Sequence, residues 1–198
     1  MRRVQLVSLV AAGVVVLGGC GDVQPAQQAA TAPSTPSVAV PVPAATPTGV
    51  PAMARSRPRR LRIPAIGVDS SLMALGLKKD GTLETPPGPF PAGWFTGAPT
   101  PGELGPAIIV GHVRYVQPGV FEHLGDLKRN DQIRIARKDG TTAVFRVTKV
   151  EHFEKARFPT KKVYGNIDHP GLRLITCGGL VAGTNVFEEN VVVFADLV

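Results

Sequence analysis

The chain has 198 residues, of which 43% are hydrophobic and 19% charged, and its formal net charge is +7. This length suits one domain of ordinary size with appendages, and nothing in the composition indicates a second core. Basic residues after position 58 are interspersed with acidic ones, which predicts a solvated surface rather than the basic stripe of a nucleic-acid-binding protein. We therefore expect no nucleic-acid partner.

The first 20 residues are predicted to form a signal peptide. Arg2 and Arg3 provide a basic start, and the apolar run from 4 to 17 is too short to cross a bilayer comfortably. The run ends in Leu-Gly-Gly-Cys, which resembles the bacterial lipobox, whose cysteine receives diacylglycerol. Cys20 is therefore a predicted lipidation site that attaches the chain to a membrane. An uncleaved signal anchor is the alternative.

Residues 21–58 are rich in Ala, Pro, Thr, Ser and Val. Such a composition buries too little apolar surface to fold and favours an extended chain. We predict a disordered linker without catalytic residues. It either serves as a stalk that holds the next domain away from the membrane or has no role beyond connection.

The folded domain is predicted to span residues 59–198 and to begin with short strands. Apolar and β-branched runs at 61–63 and 70–75 indicate the first two strands, and Lys-Asp-Gly at 79–81 is a turn signal. The stretch 85–101 is rich in proline and glycine, which favours an irregular wall.

The middle of the domain is predicted to hold a buried strand and a hairpin. Apolar residues from Ala107 to Gly111 form a strand that ends beside His112. The run 119–127 is compatible with a short helical turn. Apolar and polar residues alternate in 132–137 and again in 142–150 around an Asp-Gly pair, which predicts a β-hairpin.

The last third is predicted to contain a loop and two apolar strands. The loop runs from 158 to 171, and the next strand begins at Leu172 and ends at Cys177, where two glycines follow. Residues 190–198 form the final strand. About eight short strands with little helix predict an all-β protein with a closed or nearly closed barrel.

Two of the predicted strands end in residues that can cooperate in catalysis, Cys177 and His112. An imidazolium beside a thiol favours the nucleophilic thiolate, so cysteine and histidine recur together in enzyme active sites. If Cys20 carries lipid, Cys177 is the only free thiol of an exported chain. Outside the reducing cytosol such a thiol is either used or buried, and burial in the core is the alternative to catalysis.

No metal ion or other cofactor is expected. The four histidines stand at positions 112, 123, 152 and 169, and they show no paired spacing of the kind that binds zinc. We expect the last three in loops or at the surface.

Five segments of the domain match the pattern of one known family. They are Leu61–Val68, Gly111-His112, the run 119–127, Phe158-Pro159-Thr160 and Leu174–Gly179. Together they resemble the sortases, and most closely the class E and F type of actinobacteria. The resemblance covers the domain from about Arg60 to the end. It implies an eight-stranded sortase-type β-barrel with one or two short helices.

The resemblance also implies a function, that of an exported cysteine transpeptidase at the outer face of the cell membrane or in the cell wall. Such enzymes cut a sorting signal of the Leu-Pro-X-Thr-Gly kind and join the threonine carbonyl to an amine of a cell wall precursor, or to water. Cys177 would form the thioester. His112 would give a proton to the leaving amine and then activate the acceptor.

The chain departs from the family pattern at one position. The family's arginine at the start of the last strand aligns with Glu188, and no lysine or arginine follows Arg173. A carboxylate opposes the oxyanion that forms in the reaction, and loss of one oxyanion donor typically lowers the rate by about 10²- to 10³-fold. Three outcomes stay open: Arg114 or Arg173 supplies the charge, the enzyme is a slow hydrolase, or the protein binds a peptide without cutting it.

Overall fold

The computed structural model describes residues 50–184 and 186–198. The predictions for the signal peptide, for Cys20 and for linker residues 21–49 lie outside these residues. The described part contains eight strands: β1 (Pro58–Ile63), β2 (Val68–Leu75), β3 (Ala92–Phe95), β4 (Gly105–Val110), β5 (Gln132–Arg137), β6 (Thr142–Glu154), β7 (Pro170–Leu180) and β8 (Phe187–Leu197).

These strands form a closed barrel in the order β1-β2-β3-β4-β7-β8-β6-β5, with β5 pairing back onto β1. The pairs β2–β3 and β4–β7 are parallel, and the others are antiparallel. Helical structure in the described residues is limited to α1 (Thr160–Tyr164) and three single 3₁₀ turns, Pro64–Ile66, Leu124–Asp126 and Lys155–Arg157. The predicted all-β, eight-stranded barrel with short helices is confirmed.

Alternation of side chains along the strands divides the apolar core into two layers. The first layer fills the barrel and includes Leu61, Ile135, Phe145, Leu174 and Val193. The second covers the outer face of β4, β7 and β8, and its buried members include Ile108, Val110, Ile175, Val192, Phe194 and Val163 of α1. Because β4 is covered on both faces, its sequence is a continuous apolar run without polar alternation. Strand β7 is buried up to Thr176 as well, but it includes the polar side chains of Arg173 and Thr176.

The short helical turn expected within 119–127 is present as a single 3₁₀ turn, Leu124–Asp126. Other elements differ from the sequence-based ones. Strand β3 lies inside the proline-rich stretch that predicted an irregular wall, and α1 lies inside the predicted loop 158–171. Strand β7 does not end at Cys177 but continues to Leu180, because Gly178 still pairs with Glu189 of β8.

The end of the predicted linker is packed against the barrel. The backbone N–H of Met53 donates to the carbonyl oxygen of Gly102, and that of Ser56 donates to the hydroxyl of Thr100. The guanidinium of Arg137, whose side chain is 1% exposed, donates to the carbonyl oxygen of Ala54. Part of the segment predicted as linker, from Met53 to Ser56, therefore contacts the domain.

Candidate active site

Parallel strands β4 and β7 bring His112 and Cys177 to the same end of the sheet. Val110, the last residue of β4, is the register partner of Ile175 in β7. The chain continues in the same direction after both residues and reaches His112 two positions after Val110 and Cys177 two positions after Ile175. Because adjacent parallel strands run in the same direction, residues equally far beyond an aligned pair lie next to each other. The sequence predicted this convergence.

Two hydrogen bonds join the segments that directly precede His112 and Cys177. The N–H of Gly111 donates to the carbonyl oxygen of Ile175 at 3.1 Å, and the hydroxyl of Thr176 donates to the carbonyl oxygen of Gly111 at 2.8 Å. Thr176 is 4% exposed. A buried hydrogen bond is expensive to break, so it holds the backbones of the two segments at a fixed spacing.

The segment after His112 folds back over it and leaves room only for glycine at two positions. A Cβ atom on Gly119 would collide with the carbonyl oxygen of His112, and one on Gly111 would lie 2.5 Å from Val120 and 2.7 Å from Phe121. The N–H of Phe121 donates to the carbonyl oxygen of His112 at 2.9 Å. Close approach of the backbone thus fixes the histidine from both sides.

His112 and Cys177 line the same open cleft, which has a volume of about 230 Å³. Its walls are mainly apolar, from Leu83, Pro86, Val110, Phe158, Tyr164 and Ile175. Cys177 is half-buried rather than sealed in the core, which favours a reactive thiol over the burial alternative. A cleft of this size holds a short stretch of peptide beside the sulfur.

The imidazole of His112 is oriented by the chain that crosses it. Its Nε2 lies 2.8 Å from the carbonyl oxygen of Pro86. A carbonyl only accepts, so Nε2 carries the hydrogen. The ring also packs against Tyr115, with 5.3 Å between centroids. Among the described residues Nδ1 has no hydrogen-bond partner, and no hydrogen bond joins the ring to the Cys177 sulfur, so Nδ1 is the nitrogen free to exchange a proton with a bound substrate.

A second cleft of about 300 Å³ lies on the other side of Cys177 and contains the first candidate cation. Arg114, Glu122 and Asp126 line it together with Cys177. The guanidinium of Arg114 is 3.4 Å from the Glu122 carboxylate, and its side chain is 49% exposed. Within the described residues Arg114 is the only lysine or arginine that lines either cleft bordered by Cys177.

The structure places Arg173, the other candidate cation, outside both clefts. It does share a face of β7 with Cys177, as the even spacing predicted, but that face is covered here. Arg173 is 5% exposed, its guanidinium lies 4.6 Å from the centre of the Phe194 ring, and it donates to the carbonyl oxygen of Leu172. Burial lowers the pKa of Arg173, which Asp196 partly offsets.

Comparison with known protein families assigns the domain. The family model described as the sortase domain matches residues 61–198, well over half of the chain. The chain belongs to the sortase family. Sortases are in general cysteine transpeptidases of the cell surface, which is the broad function that the sequence predicted. No curated protein matches the chain.

Solved sortase structures share the fold. Sortase A from Corynebacterium diphtheriae is 21% identical with a TM-score of 0.54, and the match covers 73% of this chain and 62% of that one. Sortase C-1 from Actinomyces oris is 20% identical, with a TM-score of 0.52 and coverage of 70% and 72%. A Clostridium perfringens sortase D5 transpeptidase is 22% identical, with a TM-score of 0.53 and coverage of 72% and 79%. At this identity the likeness concerns the fold. The chain spans less than two thirds of the C. diphtheriae protein.

Glu188, which the sequence motif aligns with the sortase arginine, lies on β8 outside both clefts. Asn190 is the register partner of Cys177. Glu188 comes two residues earlier, so it shares the face of β8 that Asn190 presents. Its side chain is exposed.

Sequence reasoning missed several residues of the cleft, among them Pro86, Tyr164 and Asn190. Asn190 brings an amide beside the sulfur, since it faces Cys177 across β7 and β8 and lines the cleft. Burial raises the pKa of the Tyr164 phenol, which therefore stays neutral and can donate a hydrogen bond. The Phe-Pro-Thr motif at 158–160 was a sequence signal for the cleft wall that contains Tyr164. No sequence signal indicated that the chain around Pro86 crosses His112.

The other histidines lie outside the two clefts that Cys177 borders. His123 contacts Asp126, His152 contacts Glu189, and His169 lies between Asp168 and Asp196. In the described part of the chain, helices are too short to cross a membrane.

Proposed function

We propose that this sortase cleaves a peptide by forming a thioester on Cys177. The observation that carries the proposal is the meeting of Cys177 and His112 in one open, mainly apolar cleft. The two residues come from different strands, and a buried hydrogen bond between Thr176 and Gly111 keeps their backbones together. A structural cysteine requires none of these features.

The chemistry follows from the two side chains. The Cys177 thiolate attacks the carbonyl carbon of the scissile amide, and the carbonyl oxygen becomes an oxyanion. As the carbon–nitrogen bond breaks, protonated His112 gives a proton to the leaving amine, and the acyl group stays on sulfur as a thioester. The neutral imidazole then takes a proton from an incoming amine or water, which attacks the thioester; the carbon–sulfur bond breaks and Cys177 leaves as the thiolate.

Arg114 supplies the positive charge that stabilises the oxyanion, since Glu188 occupies the position at which the family motif has an arginine. It lines a cleft bordered by Cys177, and its partly exposed guanidinium can turn from Glu122 towards an oxyanion. Preorganised charge near the forming oxyanion is among the larger contributions to acyl-transfer catalysis. The burial of Arg173 against Phe194 leaves it unsuited to this role.

The cleft suits a sorting signal of the Leu-Pro-X-Thr-Gly kind. Its apolar walls match the leucine and proline that precede the bond to be cut, and the acceptor is an amine of a cell wall precursor, or water. Assignment to class E or F rests on the sequence motifs. The enzyme acts at the outer face of the membrane, to which a lipid on Cys20 or a signal anchor attaches it.

A second candidate function is peptide binding with weak or no catalysis, in a lipid-attached protein. Glu188 is the observation that favours it. A carboxylate on the face of β8 that also presents Asn190 to the thiol disfavours an oxyanion there. The cleft itself would be kept, because its apolar walls do not depend on residue 188.

A cleavage assay separates the two functions. The full chain is incubated with a library of peptides that contain sorting signals, with hydroxylamine as a strong acceptor, beside the variants Cys177→Ala and His112→Ala. We expect hydroxamate products with the wild type and none with Cys177→Ala. Peptides that bind the wild type and stay intact after long incubation would favour the binding protein.

A further inference from the structure

A further cavity of about 520 Å³ adjoins the apolar cleft. Leu83 and Tyr164 line both spaces. The far walls of this distal cavity are formed by Leu77, Thr82, Phe95 and Thr160. The distal cavity therefore lies next to the cleft that contains Cys177 and His112, and we call the two adjoining spaces together the groove.

One wall of the distal cavity is a small hairpin in the connection between β2 and β3. Leu77 and Leu83 form a β-bridge, and the N–H of Lys78 donates to the carbonyl oxygen of Thr82 at 2.8 Å. At its base the N–H of Gly76 donates to the Glu84 carboxylate at 2.7 Å. These bonds preform the wall, so a ligand need not order it.

The other wall is an aromatic cluster that holds α1. The rings of Phe158 and Tyr164 lie 6.0 Å apart, and Phe158 makes an edge contact with Phe153 at 6.0 Å. Val163 of α1 is fully buried in the outer core layer. This wall is therefore packed against the outer core layer through Val163, Phe158 and Tyr164.

The chemistry of the distal cavity is apolar. None of its lining residues is an acid, a lysine, an arginine or a histidine. Leu77 keeps 54% of its surface exposed although it is large and apolar. An exposed apolar side chain that lines a concave, uncharged space is typical of a surface that a ligand covers.

We infer that the distal cavity binds an apolar side chain of the substrate polypeptide, a few residues before the sorting signal. This rests on the proposed function, which places the acyl part of the substrate in the apolar cleft. The chain before the signal then leaves that cleft past Leu83 and Tyr164. An extended peptide advances about 3.3 Å per residue, so its next few residues lie over the distal cavity.

Binding to the full chain carrying Cys177→Ala tests the inference without requiring chemistry. Two labelled peptides have the same sorting signal and differ in the four preceding residues, which are leucine and phenylalanine in one and aspartate and glycine in the other. We expect the apolar peptide to bind about tenfold more tightly, as burial of one large apolar side chain provides. Equal binding of the two peptides, or no binding of either, would overturn the inference.

A matched pair of variants locates the effect. Leu77→Ser in the Cys177→Ala background should remove most of the tenfold preference. Leu104→Ser is the control, because Leu104 is equally large, 59% exposed, and outside the groove. If Leu104→Ser reduced the preference as much as Leu77→Ser, the distal cavity would not be its source. Hydroxamate formation by the wild type is scored separately, so failure of catalysis and failure of this inference are distinguishable.

Discussion

The hydroxyl of Thr176 donates a 2.8 Å hydrogen bond to the carbonyl oxygen of Gly111, and so joins the residue before Cys177 to the residue before His112. Thr176 and Gly111 also line the apolar cleft, although Thr176 is only 4% exposed and its hydroxyl is used in this bond. We call Thr176 a positioning residue, because its hydrogen bond affects the chemistry through Cys177 and His112, the residues that directly follow Thr176 and Gly111.

Thr176→Val keeps the shape of the side chain and removes the donor. The buried carbonyl of Gly111 loses a partner, so we expect the free energy of unfolding to fall by about 1–3 kcal/mol. The rate of thioester formation should fall at a temperature where the variant is still folded. Thr176→Ser is the control and should restore both, as measured by thermal denaturation and acid-quenched kinetics. Equal losses in the serine variant would mean that packing of the methyl group matters and the hydrogen bond does not.

Arg114→Gln removes the only lysine or arginine that the described residues place beside a cleft of Cys177. We expect thioester formation to slow by about 10²-fold, with little change in peptide affinity, because the charge acts on the oxyanion. Arg134→Gln is the control, since Arg134 is exposed on β5 and lines neither cleft. A rate unchanged in Arg114→Gln would exclude Arg114 from the reaction.

Glu188→Arg introduces the residue type that the sequence motif predicts for a sortase at this position. Residue 188 shares a face of β8 with Asn190, the register partner of Cys177, and an arginine side chain is long enough to reach back along the strand. We expect turnover to increase by at least about tenfold. Glu188→Arg changes two things, because it removes a negative charge and adds a positive one. Glu188→Gln removes the negative charge alone and so shows how much of the increase comes from that removal. Slower turnover in Glu188→Arg would show that the site already has the charge it uses.

His169 makes stability depend on pH at the end of β7 far from Cys177. The pKa of His169 is raised, first by its hydrogen bond with Asp168 and further by Asp196. The folded-state pKa lies above the unfolded value of about 6.5, so the stabilisation is complete below that pH and is lost as the pH rises through the folded pKa. The effect is small, because the side chain is 44% exposed and water screens the pairs.

Melting temperatures measured between pH 5.5 and 8.5 check this expectation. The wild type should lose stability with rising pH over this range, and His169→Gln should lose less. A decline of the same size in both would assign the pH dependence to other groups.

The fold was predictable where the signal is local. Alternation on both sides of Asp139-Gly140 predicts the β5–β6 hairpin, and the apolar runs before His112 and Cys177 predict β4 and β7. Strand β4 is buried on both faces and is apolar throughout, whereas the buried part of β7 is mainly apolar but includes Arg173 and Thr176.

The elements that the sequence did not predict correctly depend on pairing between strands that are distant in the chain. Gly178 and Gly179 are typical of a turn, but pairing with β8 carries β7 past Cys177 to Leu180. Strand β3 pairs with β2 and β4 despite the prolines around it. Long-range hydrogen bonds here outweigh local preference, and a single sequence does not contain them.

The sequence pointed to His112 and Cys177, which line one cleft, and to Arg114, which lines the neighbouring cleft of Cys177. Even spacing correctly put Arg173 on the face of Cys177, but only the packing of Phe194 and α1 shows that this face is covered. Asn190 faces the sulfur through the register of β7 with β8, and Pro86 contacts His112 from 26 residues away. Both contacts arise from tertiary structure alone.

The most direct measurement is mass spectrometry of the full chain, quenched with acid during reaction with a sorting-signal peptide. The central claim, that Cys177 is the nucleophile, predicts an added mass equal to the acyl half of the peptide. That mass should map to the fragment that contains Cys177 and be absent from Cys177→Ala. Peptide cleavage that persists in Cys177→Ala, or an acyl group carried by another residue, would contradict it.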